Sequence, residues 1–250
     1  MAKTIISRLI ASGWNSILEW LYPACCGVCG GKLLSDEQVV CSNCLASIPR
    51  TEHTILIQNG VDMIFASLMQ KEQCRVRYEH GAAFAFYNRQ RGQGLRQLIE
   101  MGKFGTHPQP RIFHYLGKIA AEEYIDADIF DDVDLLVPIP LHPKRLRERG
   151  FNQAEWICKG MSEVLGIPID TSHLVRIKNN PHQSQSNFDK RGKNVENIFT
   201  IRYPEEWKNK HIVLVDDVIT SGSTMFSCMR LTTSIRGCRV SVFSLGWAHN

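Results

Sequence analysis

The segment VLVDDVITSGST, residues 213 to 224, constrains the fold of this chain more than any other part of the sequence. Its apolar run, Ile212 to Val215, is typical of a strand that is buried on both faces, as the strands of parallel sheets are. Asp216 and Asp217 would then lie at the carboxyl end of that strand, where open α/β sheets bind their ligands. The segment therefore predicts a strand, a turn and a helix, with a ligand site at the turn.

The turn of this unit has the composition of a phosphate-binding loop. Unpaired backbone N–H groups and the helix dipole favour an anion at a helix N-terminus. Glycine lets a phosphate approach the backbone, and hydroxyl groups donate further hydrogen bonds. The two aspartates that precede the turn suit the vicinal hydroxyls of a ribose. The residues predicted to bind phosphate are Thr220, Ser221, Gly222, Ser223 and Thr224.

Other kinds of protein also carry acidic residues at a strand end. A nucleotide triphosphatase would need a G-x-x-x-x-G-K-[ST] loop, which this sequence lacks. A receiver-type phosphoacceptor aspartate would not need the Thr-Ser-Gly-Ser-Thr loop. A purely structural role, in which Asp216 caps a turn and a hydroxyl caps the helix, explains one or two of the residues but not the whole run.

The rest of the C-terminal half predicts further strands that alternate with helices. Apolar runs alternate with helical patterns of about 12 residues, which indicates a mainly parallel sheet flanked by helices. Strands are predicted at LLVPIP, NIFTIRY, HIVLVDDV and RVSVFSLG, and helices at QAEWICKGMSEVLG and STMFSCMRLTTSIRG. Upstream, GAAFAFYN alternates like a strand, and helical patterns cover Gly94 to Lys103 and Phe113 to Tyr124.

Two CxxC pairs near the N-terminus predict a metal site. Cys26 and Cys29 form the first pair and Cys41 and Cys44 the second, with eleven residues between the pairs. This segment is too rich in Cys and Gly to form a core, and four thiolates around Zn²⁺ would supply the missing folding energy. Such a site has no open coordination position, so its role would be structural. A redox CxxC or an iron–sulfur cluster is the alternative. Cys26 is preferred to Cys25 as a ligand, because Cys25 would give a CxxxC.

The composition excludes several classes of protein. Hydrophobic residues make up 44% of the 250 residues and charged residues 22%, as in a soluble globular protein. The net charge of +4 favours phosphate-bearing partners, but it is low for a dedicated DNA-binding domain. Nine cysteines, partly in CxxC pairs, favour an intracellular metal site over a secreted disulfide framework. No stretch reaches the roughly 18 apolar residues of a membrane span.

Residues 1 to 23 have apolar residues at helical spacing, which predicts an amphipathic helix. Arg8 interrupts the apolar stretch and no A-x-A-like cleavage site follows, so the segment is interpreted as mature protein rather than a signal peptide. Packing of this helix onto the rest of the chain is the simpler expectation. A peripheral contact with the inner face of the cytoplasmic membrane is the alternative.

Four motifs together resemble the ComF family of competence proteins, which includes the GntX-type proteins. They are the CxxC pairs, VPIPLHPKRLRERGFNQAE at residues 137 to 155, RIKNNPHQSQSNFDKRGKNVENIF at 176 to 199, and DDVITSGST at 216 to 224. DDVITSGST itself is similar to the 5-phosphoribosyl 1-pyrophosphate (PRPP) signature of type I phosphoribosyltransferases. The resemblance covers nearly the whole chain and implies a type I phosphoribosyltransferase-like α/β fold with a small N-terminal zinc module of four cysteines.

The resemblance also implies three regions. Residues 1 to 50 would form the amphipathic helix and the zinc module. Residues 51 to 130 would form a connecting region of helices and a strand, packed on the core. Residues 131 to 250 would form the phosphoribosyltransferase-like domain, with PRPP and Mg²⁺ as its ligands.

The remainder of the PRPP site is likewise implied by the resemblance. The basic stretch HPKRLRERGFNQ would form the pyrophosphate side, since clustered cations beside a strand end favour a polyanion. A solvated helix start, with ion pairs to Glu148 and Glu155, is the alternative. The polar stretch from 178 to 194 would form the loop that closes over PRPP and excludes water; where the family usually has a Thr, this chain has Asn180. The residues assigned to these parts are Lys144, Arg145, Arg149, Asn152, Gln153, Arg176, Gln183, Arg191 and Asn194.

The function that the resemblance implies is the handling of incoming single-stranded DNA in the cytoplasm during natural transformation. The implied partners are a ComFA-like helicase and recombination-mediator proteins. Basic and aromatic residues alternate between residues 75 and 111, a mixture suited to stacking bases, although core packing is the simpler role for Phe84 and Phe86. The residues concerned are Arg77, Tyr78, Phe84, Phe86, Tyr87, Arg89, Arg91, Arg96, Lys103 and Phe104.

The alternative function is an active Mg²⁺-dependent phosphoribosyltransferase that acts on a nucleobase-like acceptor. Such a reaction usually needs a group that takes a proton from the acceptor. His142, His182 and His211 are the histidines considered for that role, although a loop or surface position is the simpler interpretation of each. The sequence identifies no catalytic residue and no acceptor site.

Overall fold

The computed structural model describes residues 24–35, 37–53, 59–88, 92–104, 109–178 and 198–248. The chain divides into two compact units, Met1–Ser47 and Ile48–Asn250. The predicted N-terminal amphipathic helix lies outside the described residues, and so does almost all of the polar stretch from 178 to 194. Among the described residues, no helix has the length and the apolar composition that a membrane crossing requires.

The smaller unit has little regular structure. It contains helix α1 (Ser42–Ser47), none of whose residues is buried, and an isolated antiparallel bridge between Cys25 and Lys32. Glu37 joins two parts of the segment, because its carboxylate accepts hydrogen bonds from the backbone N–H groups of Leu34 and Ser42. Few of its described aliphatic residues are buried, namely Leu33, Val39 and Val40, so local hydrogen bonds account for much of its order.

The larger unit alternates strands and helices, as the sequence predicts. Short 3₁₀ turns at Asp128–Phe130, Pro204–Trp207 and Thr232–Ser234 lie between them. In chain order the elements are α2 (Gly60–Lys71), β1 (Tyr78–Phe86), α3 (Gln93–Phe104), α4 (Pro110–Glu123), β2 (Leu135–Pro138), α5 (Pro143–Arg149), α6 (Gln153–Leu165), β3 (Leu174–Arg176), β4 (Phe199–Ile201), β5 (His211–Ile219), α7 (Ser223–Leu231) and β6 (Arg239–Trp247).

Four of the strands form a parallel sheet in the order β1-β6-β5-β2. The predicted α/β fold, a mainly parallel sheet flanked by helices, is confirmed. One strand differs from the expectation: NIFTIRY contributes only the three residues of β4, which pairs antiparallel with β3 in a separate two-stranded sheet. β1, from the region predicted to connect the domains, is a member of the parallel sheet itself.

Helices cover both faces of the parallel sheet. On one face, α2 and α7 pack on the sheet, and Phe65 and Met229 belong to the same buried cluster as Ile212 and Leu214 of β5. Val213 alternates with these residues and points to the other face, where α3, α4 and α6 supply fully buried side chains. These include Leu95, Leu98, Ile112, Phe113, Leu116 and Ile157.

Helices α4 and α6 cross closely because each contributes a glycine at the contact. A Cβ atom at Gly160 would lie 2.0 Å from the carbonyl oxygen of His114. A Cβ atom at Gly117 would lie 2.4 Å from the carbonyl oxygen of Ile157. Backbone atoms cannot move aside as a flexible side chain can, so the crossing requires glycine at both positions. It fixes the position of α6, whose first residues lie at the carboxyl end of the parallel sheet.

Candidate functional site

A cavity of about 690 Å³ lies at the carboxyl end of the parallel sheet. It is bounded by the ends of β1, β2 and β5, by α5, and by the beginnings of α6 and α7. Nine of the residues that the sequence assigns to a site line it, namely Arg145, Arg149, Asn152, Gln153, Arg176, Asp216, Asp217, Thr220 and Thr224. Lys144, Ser221, Gly222 and Ser223 are not part of the lining, and Gln183, Arg191 and Asn194 lie outside the described residues.

The two aspartates lie within the end of β5 rather than beyond it. The strand continues to Ile219 because its pairing with β6 continues, whereas β2 ends at Pro138, opposite Val215. Successive residues of a strand point to opposite faces, so Asp216 and Asp217 lie on opposite faces of the sheet. Both line the cavity, which therefore extends around the end of β5.

On one face, Asp217 forms an ion pair that the sequence did not reveal. The Nζ atom of Lys103, in the last turn of α3, lies 2.5 Å from the Oδ2 atom of Asp217. The two side chains are only 16% and 11% exposed, so the pair is more strongly coupled than a surface pair. Lys103 was predicted to belong to a DNA-stacking segment; the structure places it in the same cavity as the aspartates.

On the other face, Asp216 has an unusual affinity for protons. Burial and the neighbouring charge of Asp217 raise the pKa of its carboxyl from the ordinary 3.8 to about 7. The charges of Lys103 and Arg176 and a hydrogen bond from the Asp217 backbone N–H oppose this shift, but they do not cancel it. Such a pKa means that the charged form of the carboxyl group is destabilised in the folded protein. A ligand that donates hydrogen bonds to the carboxylate would stabilise this charged form.

Replacing Asp216 with asparagine is expected to raise the free energy of unfolding at pH 8 by ~2 kcal/mol. This value is smaller than the full pKa shift would give, because solvent screens a carboxylate that is partly exposed. The raised pKa means that the folded protein binds the proton more tightly than the unfolded chain. Its stability therefore falls as the pH rises from about 4 to about 7, and the amide removes this loss. At pH 4 the variant and the parent should be equally stable.

Urea unfolding at pH 4 and pH 8 measures this effect, and Asp217→Asn is the matched control. That variant leaves the half-buried ammonium of Lys103 without its partner, so it should lower the stability at pH 8. If the free energy of unfolding at pH 8 is lower for Asp216→Asn than for the parent, the charged carboxylate of Asp216 does not destabilise the fold.

Three arginines line the cavity and have no carboxylate partner within 4 Å among the described residues. Arg145 and Arg149 lie one turn apart on the same side of α5, and Arg176 ends β3. None of the three forms an ion pair with another described residue. Burial lowers the pKa values of Arg149 and Arg176, and for Arg176 the charge of Arg145 adds to the effect. Such a group of cations favours a polyanion.

The alternative for the basic stretch is a solvated helix with ion pairs to Glu148 and Glu155; α5 has no buried residue, but neither ion pair is present among the described residues. Glu155 pairs with Lys159 at 2.8 Å instead. Glu148 lines the cavity but forms no ion pair with a described residue. The cations of α5 therefore have no ion-pair partner among the described residues, and Arg149 lies over the ring of Phe104.

The predicted phosphate loop leads from β5 into α7. Gly222 precedes the helix with a φ of +70°, and a Cβ atom there would lie 2.8 Å from the Cγ2 atom of Ile64. Glycine is therefore required for its backbone conformation and for its close packing. No side chain caps α7, so the N–H groups of its first turn are left for another acceptor. The hydroxyls of Ser221 and Ser223 lie 2.9 Å apart beside this turn.

Asn152 has a role within the fold. It caps α6, where its Oδ1 atom accepts a hydrogen bond from the Ala154 N–H. Its Nδ2 atom donates to the carbonyl oxygen of Ile139, just after β2. Both groups of its amide are used, so Asn152 ties the start of α6 to the end of β2 at the rim of the cavity.

None of the described histidines lines the cavity. His142 caps α5 through its Nδ1 atom, which accepts from the Lys144 N–H. His211 is buried at the amino end of β5, 2.8 Å from the hydroxyl of Ser241, and burial lowers its pKa. His182 lies outside the described residues. His142 lies in a loop, as the simpler interpretation expects, whereas His211 is buried in a strand; neither lines the cavity.

The four predicted metal ligands of the smaller unit lie together. The Sγ atoms of Cys26, Cys29, Cys41 and Cys44 are all within 4.8 Å of one another, and those of Cys29 and Cys41 are 3.9 Å apart. Tetrahedral Zn–S bonds of about 2.3 Å separate the sulfurs by about 3.8 Å, so the cluster has room for such an ion. Cys25 is not part of this cluster.

Backbone N–H groups surround the cluster in the manner of a metal-thiolate site. Cys26 Sγ accepts hydrogen bonds from the N–H groups of Val28 and Cys41, and Cys29 Sγ accepts one from Gly31. Burial opposes ionisation of Cys26, but the backbone hydrogen bonds outweigh it and lower the pKa of this thiol to about 6. The cluster can therefore hold a metal ion that prefers thiolates, such as zinc.

The known proteins that are similar to most of this chain include the following two. The chain is 27% identical over 231 residues to "DNA utilization protein YhgH" of Escherichia coli K12, covering 89% of this chain and 96% of the relative. It is 30% identical over 227 residues to "Competence protein F" of Haemophilus influenzae, covering 89% and 84%. Adenine phosphoribosyltransferase of Leishmania tarentolae is a similar solved structure, with 16% identity, a TM-score of 0.34, and coverage of 73% and 87%. No family model matches the chain.

Proposed function

Because the chain belongs to the ComF family of competence proteins, we propose that it binds PRPP in the cavity and single-stranded DNA, and so aids the uptake and use of DNA in the cytoplasm. The observation that carries the proposal is the meeting of three kinds of group at one end of the sheet. These are the unpaired arginines, the uncapped N-terminus of α7 and the two aspartates. A ComFA-like helicase and recombination-mediator proteins are the proposed partners, and the inner face of the membrane is a proposed peripheral contact.

Each part of PRPP has a counterpart among these groups. The 5′-phosphate suits the N-terminus of α7, because its N–H groups lack a side-chain cap. The ribose hydroxyls suit the strained carboxylate of Asp216, to which they would donate hydrogen bonds. The pyrophosphate suits the guanidinium groups of Arg145, Arg149 and Arg176. Carboxylate and pyrophosphate oxygens are ligands that Mg²⁺ prefers, and Mg²⁺ would add positive charge beside the pyrophosphate.

Isothermal titration of the full chain with PRPP, ribose 5-phosphate and pyrophosphate tests the proposal. PRPP should bind more tightly than either fragment, since only PRPP engages both the phosphate loop and the arginines. Equal affinity for PRPP and pyrophosphate would show that the phosphate loop is not used. The absence of binding by PRPP, with and without Mg²⁺, would contradict the proposal.

Single-stranded DNA is expected to bind mainly through its phosphates, and its affinity should fall steeply with salt. For single strands the slope of log K against log salt is about −0.7 per contacted phosphate, so contacts by the three cavity arginines predict a slope of about −2. Fluorescence anisotropy of a labelled oligonucleotide at salt concentrations from about 50 to about 300 mM measures this slope. A slope near zero would contradict this mode of binding.

Zinc is the proposed metal of the four-cysteine cluster. The purified protein should carry about one equivalent of zinc, and a chelator should make residues 24 to 47 more susceptible to proteolysis, because the segment has little regular structure and few buried apolar residues. Cys29→Ser should have the same effect as the chelator, whereas Cys25→Ser, outside the cluster, should not. A metal-free protein with unchanged resistance to proteolysis in this segment would contradict the proposal.

An active phosphoribosyltransferase is the second candidate, supported by the arginines, the two aspartates and the two threonines of the predicted phosphate loop that line the cavity. Release of labelled pyrophosphate from PRPP in the presence of bases, nucleotides and DNA separates it from a binding protein. Release that needs Mg²⁺ and is lost when Asp216 and Asp217 are both replaced by alanine would support the enzyme. Retained PRPP binding without release would support binding alone.

A further inference from the structure

His173 lies between two carboxylates, directly before β3 and outside the lining of the cavity. Its Nδ1 atom is 2.6 Å from the Oδ2 atom of Asp170, and its Nε2 atom is 3.0 Å from the Oε2 atom of Glu206. A neutral imidazole has one N–H group, so its other nitrogen would turn a lone pair toward a carboxylate. An imidazolium has two N–H groups and donates to both carboxylates. The geometry therefore matches the protonated form of His173.

Asp170 is the buried anion of this group. Its Oδ1 atom accepts hydrogen bonds from the backbone N–H groups of Ser172 and His173, and its Oδ2 atom accepts one from the Nε1–H group of Trp207. Burial opposes ionisation of the carboxyl, but the hydrogen bonds from His173, Ser172 and Trp207 outweigh it and lower the pKa of Asp170 to about 2. Asp170 is therefore charged at neutral pH, and His173 faces a buried negative charge.

Aromatic rings and a lysine complete the surroundings of His173. The Trp207 ring lies 5.8 Å from the imidazole, centre to centre, and the Tyr203 ring lies 6.2 Å from it. Lys210 lines the same small cavity of about 290 Å³. Burial alone would lower the pKa of His173, but the hydrogen bonds and charges of the two carboxylates outweigh it and raise this pKa above the ordinary 6.5. The folded protein therefore holds this proton more tightly than the unfolded chain does.

Asp170, His173 and Glu206, which we call the His173 clamp, connect β2 with the two-stranded sheet. Asp170 is tied to β2, because its N–H group donates to the carbonyl oxygen of Leu136. His173 precedes β3, and Glu206 lies in the 3₁₀ turn Pro204–Trp207 after β4. The clamp therefore fastens both strands of the small sheet to an edge of the parallel sheet.

Arg176 connects this clamp to the cavity. The carbonyl oxygen of His173 accepts a hydrogen bond from the Arg202 N–H group, so the bonding of β3 to β4 begins at the clamp. Further along β3, Arg176 pairs with Phe199 and lines the cavity. Secondary elements and their hydrogen bonds transmit a displacement over such a distance. The position of Arg176 thus depends on how firmly the clamp holds the start of β3.

We infer that His173 is a positioning residue for Arg176: its imidazolium, bridging Asp170 and Glu206, holds β3 where Arg176 reaches the cavity, and loss of its proton to water loosens this hold. The inference rests on the proposed function in its choice of PRPP as the anion that Arg176 binds. A purely structural histidine would support Arg176 equally in both protonation states. The clamp instead makes the affinity of the cavity for an anion depend on pH.

NMR titration of the imidazole signals tests the clamp itself, with the His173 signal assigned by its absence in His173→Gln. The midpoint of His173 should lie above 6.5 in the parent and should fall in Glu206→Gln, which lacks one of the two carboxylates. Glu205→Gln is the matched control, because Glu205 is also exposed but pairs with Lys208. A midpoint at or below 6.5, or the same midpoint in the parent and in Glu206→Gln, would overturn the inference.

The PRPP affinity of His173→Gln separates a positioning role from a structural one. At about two pH units below the measured midpoint, the variant should bind PRPP about fivefold more weakly than the parent, a loss at the lower end of couplings between sites. At about two pH units above the midpoint the two affinities should converge, because the parent has lost the same charge. Each comparison is made at one pH, so the titration of Asp216 affects both proteins alike. The same ratio of affinities at both pH values would contradict the positioning role.

Arg176→Gln tests whether His173 acts through Arg176. In that background, His173→Gln should cause no further loss of PRPP affinity, since the group that it positions is absent. A further loss of about fivefold would show that His173 supports the cavity in another way. Thermal unfolding at the lower pH confirms that each variant is folded.

Inorganic pyrophosphate, titrated in parallel, keeps this inference separate from the proposed function. If PRPP does not bind the parent but pyrophosphate shows the pH-dependent ratio, the proposed function is contradicted and the His173 clamp is supported. If PRPP binds the parent and the ratio does not change with pH, only the clamp is contradicted. Failure of both probes to bind at either pH would overturn both.

Discussion

Replacing Arg145 and Arg176 together with glutamine is expected to weaken PRPP binding by about 100-fold or more, because each removes a charge-assisted hydrogen bond worth about 1.5–3 kcal/mol. Both guanidinium groups reach the cavity without an ion-pair partner among the described residues. Their loss also relieves the repulsion between them, so the variant should be no less stable than the parent. Isothermal titration with PRPP measures the change, and thermal unfolding confirms that the variant is folded.

Arg147→Gln is the matched control for this experiment. Arg147 lies on α5 between Arg145 and Arg149, but it is exposed and does not line the cavity. The same change of charge at this position should alter PRPP affinity by no more than about threefold, through long-range electrostatics alone. Equal losses of affinity in Arg147→Gln and in Arg145→Gln would show that net charge rather than the geometry of the cavity binds the ligand.

Gly160→Ala is expected to lower the free energy of unfolding by about 3 kcal/mol or more, the upper part of the range for overpacked sites. The new Cβ atom would lie 2.0 Å from the carbonyl oxygen of His114 and 2.7 Å from the backbone nitrogen of Lys118. Helices α4 and α6 would have to move apart, and no side-chain rotation can relieve the contact. Urea or thermal unfolding measures the loss.

Lys159→Ala, at the neighbouring position of α6, is the control for Gly160→Ala. It removes a surface ion pair with Glu155 and an exposed contact with the Trp156 ring, and it should cost about 1 kcal/mol or less. A similar stability for Gly160→Ala and the parent would contradict the close crossing of α4 and α6. That crossing positions the start of α6, and with it Gln153, at the cavity.

The parts of the site that could be predicted from the sequence are those whose structure is local. A buried strand, a glycine with a positive φ and a helix N-terminus follow one another within DDVITSGST, so neighbouring residues determine the turn. The same is true of the four cysteines, whose two CxxC pairs bring the thiols together. The element types of the parallel sheet were also evident, because apolar runs and helical periodicity are local patterns.

The parts that could not be predicted depend on contacts between distant segments. The ion pair between Lys103 and Asp217 joins α3 to β5, and no local pattern marks Lys103 as a partner of a carboxylate. The strand β5 extends through the aspartates because β6 continues to pair with it. Gln153 has a sequence context that suggests a phosphate ligand, but the sequence does not reveal that its Oε1 atom is buried without a hydrogen-bond partner among the described residues. Phe84, by contrast, is fully buried in the sheet, as its alternation suggests.

A crystal structure of the full chain soaked with PRPP and Mg²⁺ tests the central proposal most directly. The proposed binding mode predicts density for the 5′-phosphate at the first turn of α7, within hydrogen-bond distance of backbone N–H groups. It also predicts the ribose hydroxyls at Asp216 and the pyrophosphate beside Arg145 and Arg176. Density for PRPP elsewhere, or an empty cavity at a PRPP concentration that saturates binding in solution, would contradict it.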